Sequence, residues 1–285
     1  ANMLAKMIRN PEQCKEKIHR EQEKLRQLHL SNGEEFISLE EARSRAPHYD
    51  DFSQSASFGN SDFTGKWIDP SLVYGFIDWK MFLAFWGFRE SSSEQAVKTL
   101  EAGKAMLEHM IGEKQVEISC IAKFFDARRS DDDIVLPQAR MGMHRSTSTL
   151  TGFESLADFF SEVKSTKVGI FAVKVEDHHK CCCDCRDYEH LLRRSLCARL
   201  AEAAAQWLQF KTAPEGNVIR PAFGYSSCPD HSLKEKAFSL LNATEELGIR
   251  LTGNYAMLPE SSVCGMLISH PNAKYVNLRE QDESK

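Results

Sequence analysis

A run of alternating apolar residues in the middle of the chain constrains its fold more than any other feature. Apolar side chains recur there with period two, which predicts a half-buried β-strand. The run comprises Val116, Ile118, Cys120, Ala122 and Phe124. Residues 168–175 form an apolar run interrupted only by Lys174 and predict a second strand. Residues 263–269 and 274–278 are expected to form the two arms of a hairpin around the turn at His270–Asn272.

Helices are predicted between and after these strands. Three capping boxes, in which a Ser precedes a Glu or Gln by three residues, predict helix starts at Ser38, Ser92 and Ser232. The clearest helix covers residues 187–210, where apolar residues step by three or four. Shorter elements are expected as a strand within 67–77, a helix at 78–86 and a helix at 153–163. Strands and helices alternate irregularly, with hairpin signals and no regular βαβ period. The sequence therefore predicts an α+β fold, with a twisted, mainly antiparallel sheet flanked by helices.

Composition divides the 285 residues into three parts. Residues 11–29 are dense in charged and amide side chains and have few apolar positions, so 1–30 is expected to be an exposed helical connector. Residues 31–65 contain a short helix after Ser38 and then many Ser, Asp and Gly residues, which is typical of a linker. The compact domain is predicted to cover residues 66–285.

Charge and hydropathy argue against several classes of partner. The 36 basic residues against 41 acidic residues give a net charge of −5, which argues weakly against nucleic-acid binding. No apolar run reaches the ~18 residues of a membrane span, and no signal peptide is visible, so no membrane partner is expected. Nine cysteines, five of them between residues 181 and 197, do not suggest a disulfide framework in a chain of this size. A reducing cytoplasm is the expected location.

The segment from Arg220 to His231 carries the most specific chemistry. Pro221 and Gly224 predict an irregular loop, and Gly224 allows its backbone to approach a ligand closely. Arg220 offers a planar fork that suits a carboxylate, and Tyr225 adds an aromatic face with a hydroxyl group. The alternative is a structural loop whose arginine pairs with a nearby aspartate, and the residues alone leave the two interpretations about equal.

Three further residues are candidates only in combination with this loop. Asp78 lies in an apolar stretch and is costly there unless it is paired, although it is more simply explained as the N-cap of the following helix. Glu202 flanks the apolar stripe of the 187–210 helix and is by default an exposed helix residue. Tyr275 follows the turn at Ser269–Lys274.

A cluster of cysteines raises the question of a metal site. Cys181, Cys182, Cys183 and Cys185 follow His178 and His179 and offer the soft ligands that zinc prefers. Only Cys182 and Cys185 have the spacing of a C-x-x-C pair, however, and adjacent cysteines point in different directions. An exposed loop without a stoichiometric metal is therefore expected.

These segments together resemble the activation domain of cobalamin-dependent methionine synthase. Residues 220–231, R-P-A-F-G-Y-S-S-C-P-D-H, resemble the family's R-P-A-P-G-Y-P-x-C-P-[ED]-H motif. Residues 76–83 are similar to its Y-I-D-W-x-x-F-F segment, and residues 269–275 to its S-H-P-x-x-K-Y turn. The other matches lie at 156–160, 170–173 and 197–207, and all six fall in the family's order over about residues 66–278. The connection at 209–218 is shorter than in the family.

The resemblance implies a ligand, and a role for each candidate residue. The family domain binds S-adenosylmethionine, with Asp78 expected at the ammonium group, Arg220 at the carboxylate and Glu202 as a further polar contact. Tyr275 would lie at the side facing cobalamin. The backbone from Ala222 through Gly224 to Tyr225 would line the site. The shortened connection predicts a less covered groove and lower affinity.

The resemblance also implies an activity and partners. The domain would support reductive remethylation of cob(II)alamin within a methyltransferase of methionine biosynthesis, without turnover of its own. Cobalamin would be held by a partner domain, and a flavodoxin-like or flavoprotein reductase would donate the electron. Residues 1–30 would be the tail that follows the cobalamin-binding domain. Two other functions remain open: a non-catalytic ligand-binding or regulatory module with this fold, and a weaker possibility, a zinc-dependent regulator.

Overall fold

The centre of the fold is an antiparallel sheet built on two long strands. In the computed structural model, residues 15–16, 18–24, 35–53, 58, 61–179 and 188–278 are described. The strands are β1 (Phe63–Ile68), β2 (Val116–Ser130), β3 (Asp133–Val135), β4 (Arg140–Gly142), β5 (Thr166–Asp177), β6 (Val218–Ile219), β7 (Arg250–Leu251), β8 (Met257–Leu258) and β9 (Ser262–Ser269). The main sheet runs β4-β3-β2-β5-β9-β6, and β1 pairs with β2 on the edge that β3 also uses. Strands β7 and β8 form a separate pair.

Helices cover both faces of this sheet. They are α1 (Leu39–Ser44), α2 (Ser71–Tyr74), α3 (Trp79–Phe85), α4 (Glu94–Gly112), α5 (Tyr188–Thr212), α6 (Leu233–Leu241) and α7 (Ala243–Leu247), with a 3-10 turn at Leu156–Phe159. The predicted α+β class and mainly antiparallel sheet are confirmed. Cys120, Ile170 and Leu267 lie on the neighbouring strands β2, β5 and β9, with Cys120 opposite Val173 and Gly169 opposite Leu267.

The alternation in β2 separates two hydrophobic cores. Ile118, Cys120 and Ala122 pack with residues of α3, α4 and α5 on one face of the sheet. Ile121 on the opposite face packs with residues of α6 and α7. This is the packing that the period-two pattern predicts for a strand in the middle of a covered sheet. Helix α5 lies on the first face, and its exposed edge forms one wall of the cavity described below.

Four predicted elements or caps differ from the structure. The helix start expected at Ser92 lies one residue later, since the Ser93 hydroxyl accepts the N–H of Ala96. The strand expected within 67–77 ends at Ile68, because Asp69 accepts the N–H of Ser71 through Oδ1 and starts the short helix α2. The helix expected at 153–163 is only the 3-10 turn at Leu156–Phe159. The cap predicted at Ser232 is absent there, because that side chain makes no capping bond and Asp230 accepts the N–H of Ser232 instead.

The predicted hairpin at 263–269 and 274–278 is wrong. Strand β9 pairs with β5 and β6, and residues 274–278 form no strand. The Asn217 side chain donates to the carbonyl oxygens of Pro271 and Ala273, while the N–H of Asn272 donates to Nδ1 of His270. These bonds hold the chain after the turn against the start of β6, where it cannot pair back onto β9.

The chain before β1 contacts the sheet domain in the ranges described. Phe36 forms a β-bridge with Ser148, and Arg43 donates to Asp132 at 2.8 Å. Ser38 caps α1 as predicted, since its hydroxyl accepts the N–H of Glu41. The division at residues 30 and 65 remains a prediction. Across the described part of the chain, none of the helices combines the length and apolar character that crossing a bilayer requires.

Candidate functional site

Asp78 stands at the start of α3 with one carboxylate oxygen engaged. Its Oδ1 accepts the backbone N–H groups of Lys80 and Met81 at 2.9 and 3.0 Å. The structure thus shows the N-cap that the sequence left open as an alternative. Within the described residues no hydrogen bond ends on Oδ2. Because Asp78 is exposed, that oxygen can still meet a cation from solvent.

Arg220 follows β6 and is largely buried. Its side chain is 14% exposed, and the guanidinium carbon lies 5.9 Å from the centre of the Phe171 ring. Nη1 donates to Oε2 of Glu202 at a long 3.5 Å. Nε is buried and has no hydrogen-bond partner among the described residues. A buried donor without a partner costs free energy, so this edge of the guanidinium is suited to an incoming acceptor.

Glu202 on α5 joins Arg220 to Tyr225. The Tyr225 hydroxyl donates to Oε1 at 3.0 Å, and Oε2 accepts the long bond from Arg220. Loss of solvent around the hydroxyl and the adjacent Glu202 carboxylate together raise the pKa of Tyr225. Glu202 is therefore not the exposed helix residue of the default interpretation, because its side chain is 29% exposed and its carboxylate accepts hydrogen bonds from two residues of the loop.

The segment from Arg220 to Cys228, called here the Arg220 loop, is held close to β9. Ala222 forms a bridge with Gly265, and a Cβ at Gly265 would lie 2.4 Å from the carbonyl oxygen of Pro221. Gly224 has φ of +92°, a conformation that favours glycine. The Tyr275 hydroxyl accepts the backbone N–H of Arg220 at 3.2 Å.

One cavity of about 310 Å³ brings most of the predicted site residues together. Asp78, Glu202, Arg220 and Tyr225 are in its lining, with Phe76, Met81, Arg199, Ala203 and Gln206. Ala222, Gly224 and Tyr275 are outside this lining; the first two belong to the Arg220 loop, and the Tyr275 hydroxyl is bonded to it. Arg199 and Gln206 were not predicted as site residues, although both lie at helical spacing from Glu202 and so share its face of α5.

The cysteine cluster of 181–185 lies outside the described residues. Its neighbour His178 is described, and Nε2 lies 3.1 Å from Oε2 of Glu117. Glu117, Glu176 and His178 bring three potential metal ligands within 4.8 Å of one another. Lys174, however, donates to Glu176 at 2.6 Å, so an ammonium group already balances the charge of one of these three ligands.

Comparison with known proteins shows where this architecture belongs. The family model for the activation domain of vitamin B12 dependent methionine synthase matches residues 71–216 and 214–284. The chain belongs to this family. A solved structure of the MetH reactivation domain bound to AdoHcy is similar, with 26% sequence identity and a TM-score of 0.76. That similarity covers 86% of this chain and 90% of the other.

The chain is therefore an activation domain of methionine synthase. The family forms part of a methyltransferase, and the alternative of a non-catalytic ligand-binding or regulatory module with this fold is not favoured. The two matched segments of the activation domain meet at residues 214–216. This is inside the 209–218 connection that the sequence comparison identified as shortened.

Proposed function

We propose that this activation domain binds S-adenosylmethionine in the cavity between α3, α5 and the Arg220 loop. The observation that carries the proposal is that Arg220, whose buried Nε has no partner among the described residues, and Asp78 line the same cavity. The lining carries two carboxylates, Asp78 and Glu202, and two guanidinium groups, Arg199 and Arg220, so the cavity offers partners for both charges of a zwitterion. The relative with bound AdoHcy, a ligand with the same amino-acid end, supports this choice.

The amino-acid end of the ligand accounts for the charged residues. Its carboxylate would take the Nε edge of Arg220, which offers two parallel donors. Its ammonium would donate to Oδ2 of Asp78, the carboxylate oxygen that is not used in capping α3. Glu202 would hold Arg220 and Tyr225 in place and contact the ligand from α5.

The sulfonium end accounts for the aromatic residues. A sulfonium is attracted to the faces of aromatic rings, as other soft cations are. Phe76 and Tyr225 both line the cavity. Its volume of about 310 Å³ is at the lower end of the range for small-molecule sites, ~300–1,000 Å³, which agrees with a groove that covers only part of the ligand.

The proposed role is reductive remethylation of cobalamin held by a partner domain. The ligand would supply the methyl group and leave as S-adenosylhomocysteine, and a flavodoxin-like or flavoprotein reductase would supply the one electron. The residues of this chain bind and orient the ligand; none is needed as a general base. The domain alone is expected to show no turnover. A cytoplasmic location agrees with Cys120, Cys197, Cys228 and Cys264, which are buried as free thiols.

The exposed side of the cavity is where the cobalamin-binding domain would dock. Tyr225 lines the cavity and Tyr275 is bonded to the backbone of Arg220, which also lines it; both rings are more than half exposed. Large exposed aromatic groups at the mouth of a ligand cavity are typical of a surface that a partner covers. The methyl group would then face the partner across these rings.

Calorimetric titration with S-adenosylmethionine tests the proposal. We expect saturable binding to the wild-type domain and a loss of about 30-fold or more in Arg220→Ala, since removing one partner of a desolvated charge pair commonly costs ~2–5 kcal/mol. Arg220→Lys should recover only part of the affinity, because an ammonium lacks the planar fork. Absence of binding to the wild-type domain would refute the proposal.

A further inference from the structure

A polar pair behind the Arg220 loop has no part in the proposed ligand contacts. The Lys234 ammonium donates to Nδ1 of His231 at 2.6 Å and to the carbonyl oxygen of Tyr255 at 3.3 Å. An ammonium group has only donors, so Nδ1 accepts and the imidazole carries its hydrogen on Nε2. Lys234 is 4% exposed, and burial lowers the pKa of its ammonium. Such a buried amine needs its acceptors, so the bond to His231 holds the ring firmly.

The His231 ring lies against the turn of the Arg220 loop. A Cβ added at Gly224 would come 2.3 Å from Cε1 of His231, so the ring fills the space that the glycine leaves. The Gly224 N–H donates to the carbonyl oxygen of Cys228 at 2.7 Å, and the Cys228 N–H donates to that of Tyr225 at 2.8 Å. The ring therefore supports the tight turn that separates Arg220 from Tyr225.

We propose that His231 and Lys234 are positioning residues of the Arg220 loop. Lys234 fixes the imidazole through Nδ1, and the imidazole fixes the turn at Gly224. The conformation of this turn then determines the positions of the Arg220 guanidinium and the Tyr225 ring in the cavity. Neither His231 nor Lys234 lines the cavity, so they act on the ligand only through the loop.

The first test measures the local stability of the Arg220 loop in the absence of any ligand. Amide hydrogen exchange is measured by NMR at Gly224 and Cys228, with Ile170 in the centre of β5 as the reference for global unfolding. We expect exchange at both loop amides to be about tenfold faster in His231→Leu and in Lys234→Met, the change that loss of one hydrogen bond to a charged group commonly produces. Ile170 should be unaffected.

Two variants serve as controls in the same experiment. His231→Asn keeps an acceptor for Lys234 near the position of Nδ1 but removes the ring that packs on Gly224, so its loop amides should exchange more slowly than in His231→Leu and faster than in wild type. Lys236→Met removes an exposed lysine from the same helix, whose ammonium donates to the Arg140 carbonyl oxygen, and should leave the loop unchanged. Unchanged exchange in both His231→Leu and Lys234→Met would overturn the inference. Exchange in His231→Asn as fast as in His231→Leu would also overturn it, because the acceptor would then have no role.

The second test uses S-adenosylmethionine affinity, and this part rests on the proposed function. Each of His231→Leu and Lys234→Met should bind about tenfold more weakly, and the double variant no more weakly than either single variant, since both changes break one contact. Additive losses would contradict the shared contact. If the wild-type domain does not bind the ligand while the exchange result holds, the proposed function fails and the positioning of the loop stands.

Discussion

The hydroxyl oxygen of Tyr275 accepts the backbone N–H of Arg220 at 3.2 Å, joining two segments that are 55 residues apart in the chain. This bond connects the turn after β9 to the Arg220 loop at the residue that carries the proposed carboxylate contact. Tyr275→Phe removes the acceptor and keeps the ring. We expect S-adenosylmethionine to bind about three- to tenfold more weakly, with little change in melting temperature, because the bond is exposed.

Calorimetry and a thermal melt check this prediction together. Tyr188→Phe is the matched control, since Tyr188 is also exposed and its ring contacts Trp86 instead of the loop. An unchanged affinity in Tyr275→Phe would show that the hydroxyl does not hold Arg220 in place.

Gly265 permits the close approach of the Arg220 loop to β9. In Gly265→Ala the new methyl group would meet the Pro221 carbonyl oxygen at 2.4 Å and the Ala222 Cα at 2.8 Å, both backbone atoms that cannot move separately. We expect the free energy of unfolding to fall by ~1–3 kcal/mol and the ligand affinity to fall with it. Gly112→Ala, where a Cβ meets no atom within 4 Å, is the control and should leave both quantities near the wild-type values.

Arg145 is the most deeply buried ionic group outside the site. Its side chain is fully buried, with Nη2 at 2.6 Å from Oδ1 of Asp158 and Nε at 2.7 Å from Oδ1 of Asp132. Arg145→Met leaves each of these buried carboxylates with only one other arginine, and it should lower the free energy of unfolding by up to ~3–5 kcal/mol in urea denaturation. Arg194→Met, which breaks an exposed pair with Glu260, should cost less than ~1 kcal/mol. Equal losses in the two variants would contradict this account.

His270 should make stability depend on pH. The side chain is fully buried among Tyr49, Phe52 and Phe159, and this burial lowers its pKa, an effect that nearby Asp51 partly offsets. Below about pH 6.5, the usual pKa of histidine, the unfolded chain gains a proton that the folded chain does not bind. The free energy of unfolding should therefore fall as pH drops from about 6.5 through the lowered pKa.

His270→Asn provides the comparison for this pH dependence. It keeps an acceptor for the Asn272 N–H and removes the titrating group. Denaturation curves from pH 7.5 to 5 should show a stability difference between the two proteins that changes with pH below about 6.5. A constant difference over the range would exclude His270 as the source.

The sequence predicts those elements whose structure follows from the pattern of their own residues. The alternation around Cys120 and the continuous apolar run around Ile170 identify β2 and β5, because each side chain must choose a face of the sheet. The hairpin predicted after β9 is wrong because the hydrogen bonds that hold residues 271–273 come from Asn217, a residue distant in sequence. For the site, the charges of Asp78 and Arg220 indicate a ligand with opposite charges. The missing partner of the Arg220 Nε, in contrast, depends on the three-dimensional positions of residues distant in sequence, which the sequence does not give.

The most direct test of the central claim compares two ligands on two proteins. S-adenosylmethionine and 5′-methylthioadenosine, which lacks the amino-acid end, are each titrated into the wild-type domain and into Arg220→Ala. We predict that the wild-type domain prefers S-adenosylmethionine, and that Arg220→Ala loses about 30-fold or more for S-adenosylmethionine and almost nothing for 5′-methylthioadenosine. Equal losses of affinity for the two ligands would contradict the account, because Arg220 would then stabilise the cavity without binding the ligand's carboxylate.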